Sequence, residues 1–168
     1  TVSDGTNTSA AETVTININD VNEFTPVVTA GQNTAIAEST SNSTSVLTVA
    51  ATDGDATAVF SSRTITGGNT DVDGDTNLAF AINGSTGEIT VNDSQDLDRE
   101  QTANFSWTVP LSDGTNTSAA ETGTNNINDD NEFKPVVTAG QNTAIAESTS
   151  NSTSELTVAA TDREPTPV

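Results

Sequence analysis

The chain has 168 residues, with 24 Asp and Glu against only 4 Lys and Arg, so its formal net charge is −20. A chain this acidic will not bind nucleic acid or an anionic membrane through charge, and a cation is the partner that it favours. The absence of His, Cys, Tyr and Met excludes cysteine nucleophiles, His-based catalytic triads, the common zinc sites and disulfides. No apolar run approaches the roughly 20 residues that span a bilayer, so no membrane insertion is expected.

Alternating apolar and polar residues predict short strands along the whole chain, and no stretch longer than a turn or two indicates a helix. In chain order, the alternating segments are 13–18, 47–51, 80–82, 89–91 and 105–111. Turn sequences such as Asp53-Gly54-Asp55, Asn83-Gly84 and Asp113-Gly114 separate them. This spacing predicts an all-β fold of the β-sandwich type, with Trp107 in the core rather than on a sugar-binding surface.

An internal repeat determines the organisation of the chain. Residues 3–53 match residues 112–162 at an offset of 109, with 46 of 51 positions identical. A repeat of 109 residues has the size of a domain. We therefore predict that residues 1–24 are the end (the last two strands) of a preceding repeat, residues 25–133 one complete repeat, and residues 134–168 the start of the next. The chain begins at Thr1 and not at Met, and we interpret it as an internal fragment of a longer protein.

Two of the five differences between the copies fall on the last predicted strand of the repeat. Gly123 and Asn125 stand where the first copy has Val14 and Ile16. If both positions face the core, each change removes buried apolar area at a cost on the order of 1–3 kcal/mol.

The acidic residues gather between the predicted strands. They are Glu38, Asp53, Asp55, Asp98, Glu100, Asp113, Asp129, Asp130 and Glu132. Calcium takes six to eight oxygen ligands from carboxylates, amide and backbone carbonyls, and water. The chain is rich in such oxygens and poor in competing nitrogen and sulfur, so the set as a whole indicates a metal role. The alternative is an acidic surface that is simply solvated.

A separate acidic run, Asp71-Val72-Asp73-Gly74-Asp75-Thr76-Asn77, lies in a predicted loop. Alternate carboxylates on a tight turn can surround one calcium ion, so Asp71, Asp73, Asp75 and Asn77 are candidate ligands. The run lacks the bidentate Glu and the flanking helices of an EF-hand. A solvated loop is the alternative.

Several of these segments resemble the motifs of cadherin repeats, in the order and at the spacing found there. Leu97-Asp98-Arg99-Glu100 resembles the LDRE motif, and Ala51-Thr52-Asp53-Gly54-Asp55 resembles AxDxD. Both 20–26 and 129–135 resemble the linker motif DxNDNxP, with Glu for its second Asp and Phe for its second Asn. The Thr-, Asn- and Ser-rich, Cys-free composition is similar to the cadherin-like repeats of large bacterial surface adhesins of the biofilm and RTX type.

The resemblance implies an immunoglobulin-like Greek-key β-sandwich with calcium (Ca2+) bound at the junctions between consecutive repeats. Carried over by motif, the ligands at the first junction would be Asn22, Glu23, Asp53, Asp55 and Asp113. Those at the second junction would be Glu38, Asp98, Glu100, Asn131, Glu132, Asp162 and Glu164. Glu164 replaces an Asp of the motif and lengthens one ligand arm. Because the chain is cut within two repeats, neither junction has its full ligand set, and the second is the more complete.

The resemblance also implies a function: a calcium-rigidified extender in an extracellular adhesin on the bacterial surface, with neighbouring repeats as its partners. The alternative is a module that binds surface glycans or a second copy of itself. Five Phe, one Trp and no Tyr offer little for an aromatic binding platform. An enzyme would have to rely on paired carboxylates, as in glycoside hydrolysis. Their motif positions already explain these carboxylates as ligands, so we expect no enzyme.

Overall fold

A computed structural model of the chain describes residues 1–55 and 59–162. Within these ranges the chain is all-β, with a single short 3-10 helix at Ser94–Asp96. No helix in the described ranges is long and apolar enough to cross a membrane. The strands are β1 Val27–Val28, β2 Thr34–Ala37, β3 Ser45–Thr48, β4 Ala51–Thr52, β5 Ser62–Arg63, β6 Phe80–Ile82, β7 Glu88–Val91, β8 Asn104–Val109, β9 Leu111–Ser112, β10 Glu121–Asn128, β11 Val136–Val137 and β12 Ala160–Thr161.

Two three-stranded sheets form the body of the domain. In one sheet the order is β2-β10-β8, with β2 parallel and β8 antiparallel to β10. In the other the order is β3-β7-β6, and both pairings are antiparallel. The short strands β1 and β4, and likewise β5 and β9, form separate two-stranded pairs. The parallel pairing of β2 with β10 requires a long crossover between them, which agrees with the Greek-key sandwich expected.

The core lies between the two sheets and is built around three aromatic rings. Phe80 of β6 packs edge-to-face on Phe105 and Trp107 of β8, at centroid distances of 5.0 and 4.9 Å. Ile89 and Val91 of β7 and Ile127 of β10 are buried in the same cluster. Alternate residues of β8 are buried, as the sequence pattern predicts, and Trp107 is only 1% exposed. The predictions of a β-sandwich and of a core tryptophan are therefore confirmed.

Two glycines allow close turns at the edges of these sheets. Gly87 closes the β6–β7 hairpin at φ +77°. Gly68 has φ +72°, and a Cβ there would lie 1.6 Å from the carbonyl oxygen of Ser106 in β8. Only glycine fits this approach of one backbone to another.

The strand predicted at residues 13–18 is not formed, and this prediction was wrong. No residue from 9 to 26 is in a strand, and Val14, Ile16 and Ile18 are 83, 84 and 94% exposed. The corresponding residues of the second copy belong to β10, which is paired with β2 on one side and β8 on the other. A period-2 pattern indicates which face a strand would bury, but a strand forms only where partner strands exist.

The structure changes the interpretation of the two replacements on β10. Asn125 is fully buried, as expected, and neither its Nδ2 nor its Oδ1 has a hydrogen-bond partner. Gly123 is different, because a Cβ at this position would lie 2.6 Å from the carbonyl oxygen of Gln32. A small cavity of about 20 Å³ beside Trp107 and Val49 is lined by Gly123. Glycine at position 123 therefore allows the backbone of Gln32 to approach β10 closely. The replacement of valine by glycine is not simply a loss of buried apolar area.

The segment after the predicted complete repeat reproduces the local structure at the start of that repeat. β11 pairs with β12 as β1 pairs with β4, at the same offset of 109. The amide of Gln141 bridges Thr138 and Ala159, as the amide of Gln32 bridges Thr29 and Ala50. Val137 is 61% exposed, whereas its counterpart Val28 is 3% exposed. This segment therefore has the local geometry of a repeat start but no core to cover it.

Candidate metal centres

One acidic group forms where the chain enters residues 25–133, the predicted complete repeat. We call Asn22, Asp53, Asp55 and Asp113 the first acidic group. Asp53 and Asp55 follow β4, and Asp113 follows β9 directly. Asp55 and Asp113 are each 8% exposed.

Backbone and amide hydrogen bonds tie this group to the entering segment. The backbone N–H of Phe24 donates to Oδ2 of Asp55 at 3.0 Å. The side-chain amide of Asn116 donates to the carbonyl oxygen of Phe24 at 2.8 Å and to Oδ1 of Asn22 at 3.3 Å. The backbone N–H of Asn116 donates to Asp113 at 2.6 Å. Three separate segments therefore converge on one point.

Each of the three carboxylates keeps one sheltered oxygen without a hydrogen-bond partner: Oδ2 of Asp53, Oδ1 of Asp55 and Oδ2 of Asp113. The N–H groups of Asn116 and Thr115, led by that of Asn116, hold the pKa of Asp113 below its usual value despite burial. This carboxyl is therefore ionised at neutral pH. A sheltered anionic oxygen without a donor is costly unless a cation is nearby, and hard oxygen donors suit calcium.

The structure does not bring every predicted ligand into the first acidic group. Glu23 has an exposed side chain, and no hydrogen bond within the described part of the chain links it to Asp53, Asp55 or Asp113. Its place as a ligand stays a prediction.

A second acidic group forms where the chain leaves the predicted complete repeat. We define it as Glu38, Asp98, Glu100, Asp129, Asp130 and Glu132. Glu38 follows β2, Asp129 follows β10, and these strands are parallel, so both residues emerge at the same edge of the sheet. Glu38, Glu100 and Asp129 each place one carboxylate oxygen within 4.8 Å of the others.

Glu38 holds the second group together. Its Oε2 accepts the backbone N–H of Arg99 at 2.8 Å, and its Oε1 accepts that of Asp130 at 2.6 Å. One carboxylate thus connects β2 to the loop that carries Asp98 and Glu100 and to the exit segment. An open cavity of about 250 Å³ lies beside it.

The carboxyl of Glu100 has a strongly raised pKa. Both of its carboxylate oxygens are sheltered and lack hydrogen-bond partners. Burial, the nearby carboxyls of Asp129 and Glu132, and repulsion by Glu38 together raise the pKa of Glu100 to about 7. The carboxylates of Glu38, Glu100 and Asp129 therefore lie close enough to repel one another. A divalent cation bound between them would relieve this repulsion.

The remaining predicted ligands of the second group are placed less closely. Asp98 turns back to cap its own turn, with both oxygens accepting hydrogen bonds from Gln101, although it also lines the cavity. Asn131 and Asp162 are exposed. Glu164 lies outside the described residues. Asn131, Asp162 and Glu164 therefore stay predictions.

The predicted loop ligands do come together. Asp71, Asp73 and Asp75 each place one oxygen within 4.8 Å of the others. Asn77 donates its side-chain amide to Oδ2 of Asp75 at 2.8 Å, so its nitrogen and not its oxygen faces that carboxylate.

The structure places three further polar residues in or beside these acidic clusters, and sequence reasoning did not select them as site residues. Asn116 was not selected, although Asp113-Gly114-Thr115-Asn116 is a turn sequence that occurs again at residues 4–7. Asp129 was noted as acidic but not as a ligand, because the linker motif places its ligands later. Asp96 was not noticed, since nothing in its sequence context indicates burial.

Comparison with known proteins gives a consistent result. The profile of the cadherin domain matches residues 32–128, more than half of the chain. A search of curated protein sequences finds no match. Among solved structures, mouse cadherin-23 EC22-24 is 27% identical, with a TM-score of 0.65 over 88% of this chain and 46% of that chain.

Two further structures have the same fold. Extracellular cadherin domains 3-6 of protocadherin gamma B2 give 21% identity and a TM-score of 0.73, over 88% of this chain and 37% of that chain. The human desmocollin-1 ectodomain gives 22% identity and a TM-score of 0.71, over 89% of this chain and 28% of that chain. The chain spans less than half the length of each of these relatives. Cadherin domains are calcium-dependent adhesion repeats. On the match over residues 32–128, the chain belongs to the cadherin family.

Proposed function

We propose that the chain is a calcium-binding spacer, with one complete repeat at residues 25–133 flanked by the end of one repeat and the start of another. The observation that carries the proposal is the set of sheltered, unpartnered carboxylate oxygens in both acidic groups, which belong to Asp53, Asp55, Asp113 and Glu100. Calcium would supply the positive charge and the coordination that these oxygens lack.

The chain's own residues account for how an ion would stiffen a junction. Asn22, Phe24 and Asn116 fix the entering segment against Asp55 and Asp113. At the other end, Glu38 fixes the exit segment through the N–H of Asp130. Each group therefore contains residues from the repeat body and from the linker, and a ligand shared between them would restrict the angle between repeats.

The two groups lie at opposite ends of the sandwich. Val109 at the end of β8 pairs with Glu121 at the start of β10. Asp113 comes four residues after Val109, so it lies near the start of β10. Asp129 follows the other end of β10, whose eight residues extend about 26 Å at roughly 3.3 Å per residue. Ions at the two ends would support an array of repeats joined end to end.

Calcium availability and amino-acid composition support an extracellular location for such an array. Extracellular calcium modules bind at about 10⁻⁴–10⁻³ M, where the ion is abundant. The Cys-free, Thr-, Asn- and Ser-rich sequence supports an adhesin of the bacterial surface type as the parent protein.

The test is a thermal melt followed by circular dichroism, in EDTA and across a calcium titration, with magnesium as the ionic control. We expect a calcium-specific rise in melting temperature, much reduced in Glu100→Gln. Glu88→Gln is the matched control, because Glu88 is half-buried on β7 and belongs to neither group. A melt that calcium leaves unchanged would contradict the proposal.

Limited trypsin digestion gives a second readout at the site itself. The bond after Arg99 lies between Asp98 and Glu100, and the N–H of Arg99 is held by Glu38. We expect calcium to slow cleavage there more than cleavage after Arg63. Small-angle X-ray scattering of the same samples would report whether calcium extends the chain.

Self-association is the second candidate function, favoured by exposed apolar side chains at both ends of the chain, Val14 and Ile16 on one side and Val136 and Val137 on the other. A solved relative is described as the cis-dimer of protocadherin gammaB7 EC3-6. Sedimentation velocity with and without calcium tests it. Trp107 is buried and cannot stack on a sugar, so no observation favours the glycan-binding alternative.

A further inference from the structure

A third acidic group lies within the complete repeat, outside both groups described above. Asp71, Asp73 and Asp75 lie on a loop whose backbone contacts Asp96, the last residue of the 3-10 helix that Asp93 caps. The first three offer one oxygen each within 4.8 Å of one another. Two ligands bound at about 2.4 Å to one calcium ion cannot be farther apart than about 4.8 Å, so this spacing fits a single ion.

The second observation is the burial of Asp96. Its side chain is fully buried, and its Oδ1 accepts the backbone N–H groups of Val72 and Asp73 at 2.6 and 3.0 Å. The carboxylate therefore points into the base of the acidic loop. Its other oxygen, Oδ2, is sheltered and has no partner. Solvation can account for an exposed Asp, but not for a buried carboxylate with one unpaired oxygen.

Among the described residues, no Arg or Lys is paired with any of these five carboxylates, so no positive side chain there balances their charges. The hydrogen bonds that they accept come from neutral groups, such as the N–H of Gly74 to Asp71 and that of Gln95 to Asp93. Asp93 is itself only 5% exposed.

We propose that Asp71, Asp73 and Asp75 bind a calcium ion within the repeat, and that buried Asp96 anchors this loop and adds negative charge behind the ion. The site does not depend on a neighbouring repeat, because all of these residues belong to one domain. Calcium is favoured over magnesium because the ligands are flexible carboxylates on a turn, and magnesium demands near-ideal octahedral geometry. Asp96 precedes Asp98 by two residues, so the ion would also hold the segment that leads to the second acidic group.

The test is a calcium titration of the full chain followed by ¹⁵N NMR, with the ions counted by native mass spectrometry. The reporters are the amides of Val72 and Asp73, which bond to Asp96, and of Gly74 and Thr76, which bond to Asp71. We expect saturable shifts of these four amides in calcium. Magnesium at equal concentration should move them little.

The variant is Asp73→Asn with Asp75→Asn. Both residues are exposed, and Asn retains an oxygen for the backbone bonds that each now accepts. We expect one ion fewer and at least tenfold weaker binding at the loop amides. The matched control, Asp4→Asn with Glu12→Gln, removes two exposed carboxylates elsewhere and should leave the ion count unchanged.

The outcomes separate this site from the junction sites. The amides of Arg99 and Asp130 report the second acidic group, so they should still respond to calcium in the loop variant. Conversely, Glu100→Gln should weaken their response and leave that of the loop. Loop amides that do not move in millimolar calcium, or an unchanged ion count in the loop variant, would overturn the proposal even if the junction sites bind.

Discussion

Replacement of Asn125 by Ile is expected to stabilise the protein. Asn125 is fully buried on β10, and both polar atoms of its amide lack partners. A buried polar group without a partner costs about 1–3 kcal/mol. The corresponding position of the other copy is Ile16, so the change introduces no residue foreign to this pattern.

The expected magnitude follows from three contributions. Removal of the unpaired amide recovers about 1–3 kcal/mol, and burial of the aliphatic side chain adds about 1.5–3 kcal/mol. Ile is larger than Asn, and overpacking in a filled core costs about 1–3 kcal/mol. We expect a net gain of about 2 kcal/mol, or roughly 4–8 °C in melting temperature for a chain of this size. Asn125→Val, with less added volume, should give a gain of the same sign.

Urea unfolding followed by circular dichroism, in saturating calcium, measures the effect. The slope of the unfolding free energy against urea should stay constant while the midpoint rises. Asn126→Ile is the matched control, because the adjacent residue is on the same strand but exposed. Its effect should stay within about 0.5 kcal/mol, since only strand propensity changes. If both Asn125 variants are neutral or destabilising, the amide is satisfied, for instance by an internal water, and the reasoning fails.

Three further predictions concern other parts of the repeat. Glu38→Ala should lower the unfolding free energy by about 2–4 kcal/mol, because two half-buried N–H groups lose a charged acceptor, and urea unfolding in EDTA measures this. Gly68→Ala should prevent stable folding, since its Cβ would lie 1.6 Å from the carbonyl oxygen of Ser106; a cooperative melt near the native temperature would contradict this. In EDTA, stability should fall as the pH rises from 4.5 to about 7, because folded Glu100 binds its proton more tightly than the unfolded chain. The slope should be smaller in Glu100→Gln, and calcium should reverse it.

The sequence predicts those elements whose strand pattern and turn residues agree. The β6–β7 hairpin and the buried face of β8 follow from alternation and from the turn at residues 83–87, and both are formed. The same alternation failed at residues 13–18, for which the described part of the chain offers no partner strand. Gly123 likewise depends on the approach of Gln32, which is 91 residues away in the sequence. Local patterns indicate the face that a strand can bury, but long-range pairing decides whether it forms.

The residues of the candidate sites likewise differ in whether local sequence or long-range contacts determine their role. Residues in continuous motifs, such as Asp53 and Asp55, could be selected from the sequence, because calcium loops use alternate carboxylates. Asn116 and Asp96 could not, because their roles come from bonds to Phe24 and to Val72, across 92 and 24 residues. A polar residue in a loop has the same sequence signature whether it is solvated or buried beneath another segment.

The sheet order explains why the unpartnered carboxylates of the two terminal groups lie at the ends of the domain and not along its sides. Because β2 is parallel to β10, the residues that follow them, Glu38 and Asp129, emerge together. Because β8 is antiparallel to β10, the chain that leaves β8 reaches Asp113 at the other end. Repulsion between carboxylates therefore acts at the two ends of the domain, where a neighbouring repeat would attach under the proposed function. Without a cation this repulsion opposes end-to-end contact, and with one it becomes shared ligation, so the same residues would make the stiffness of an array depend on calcium.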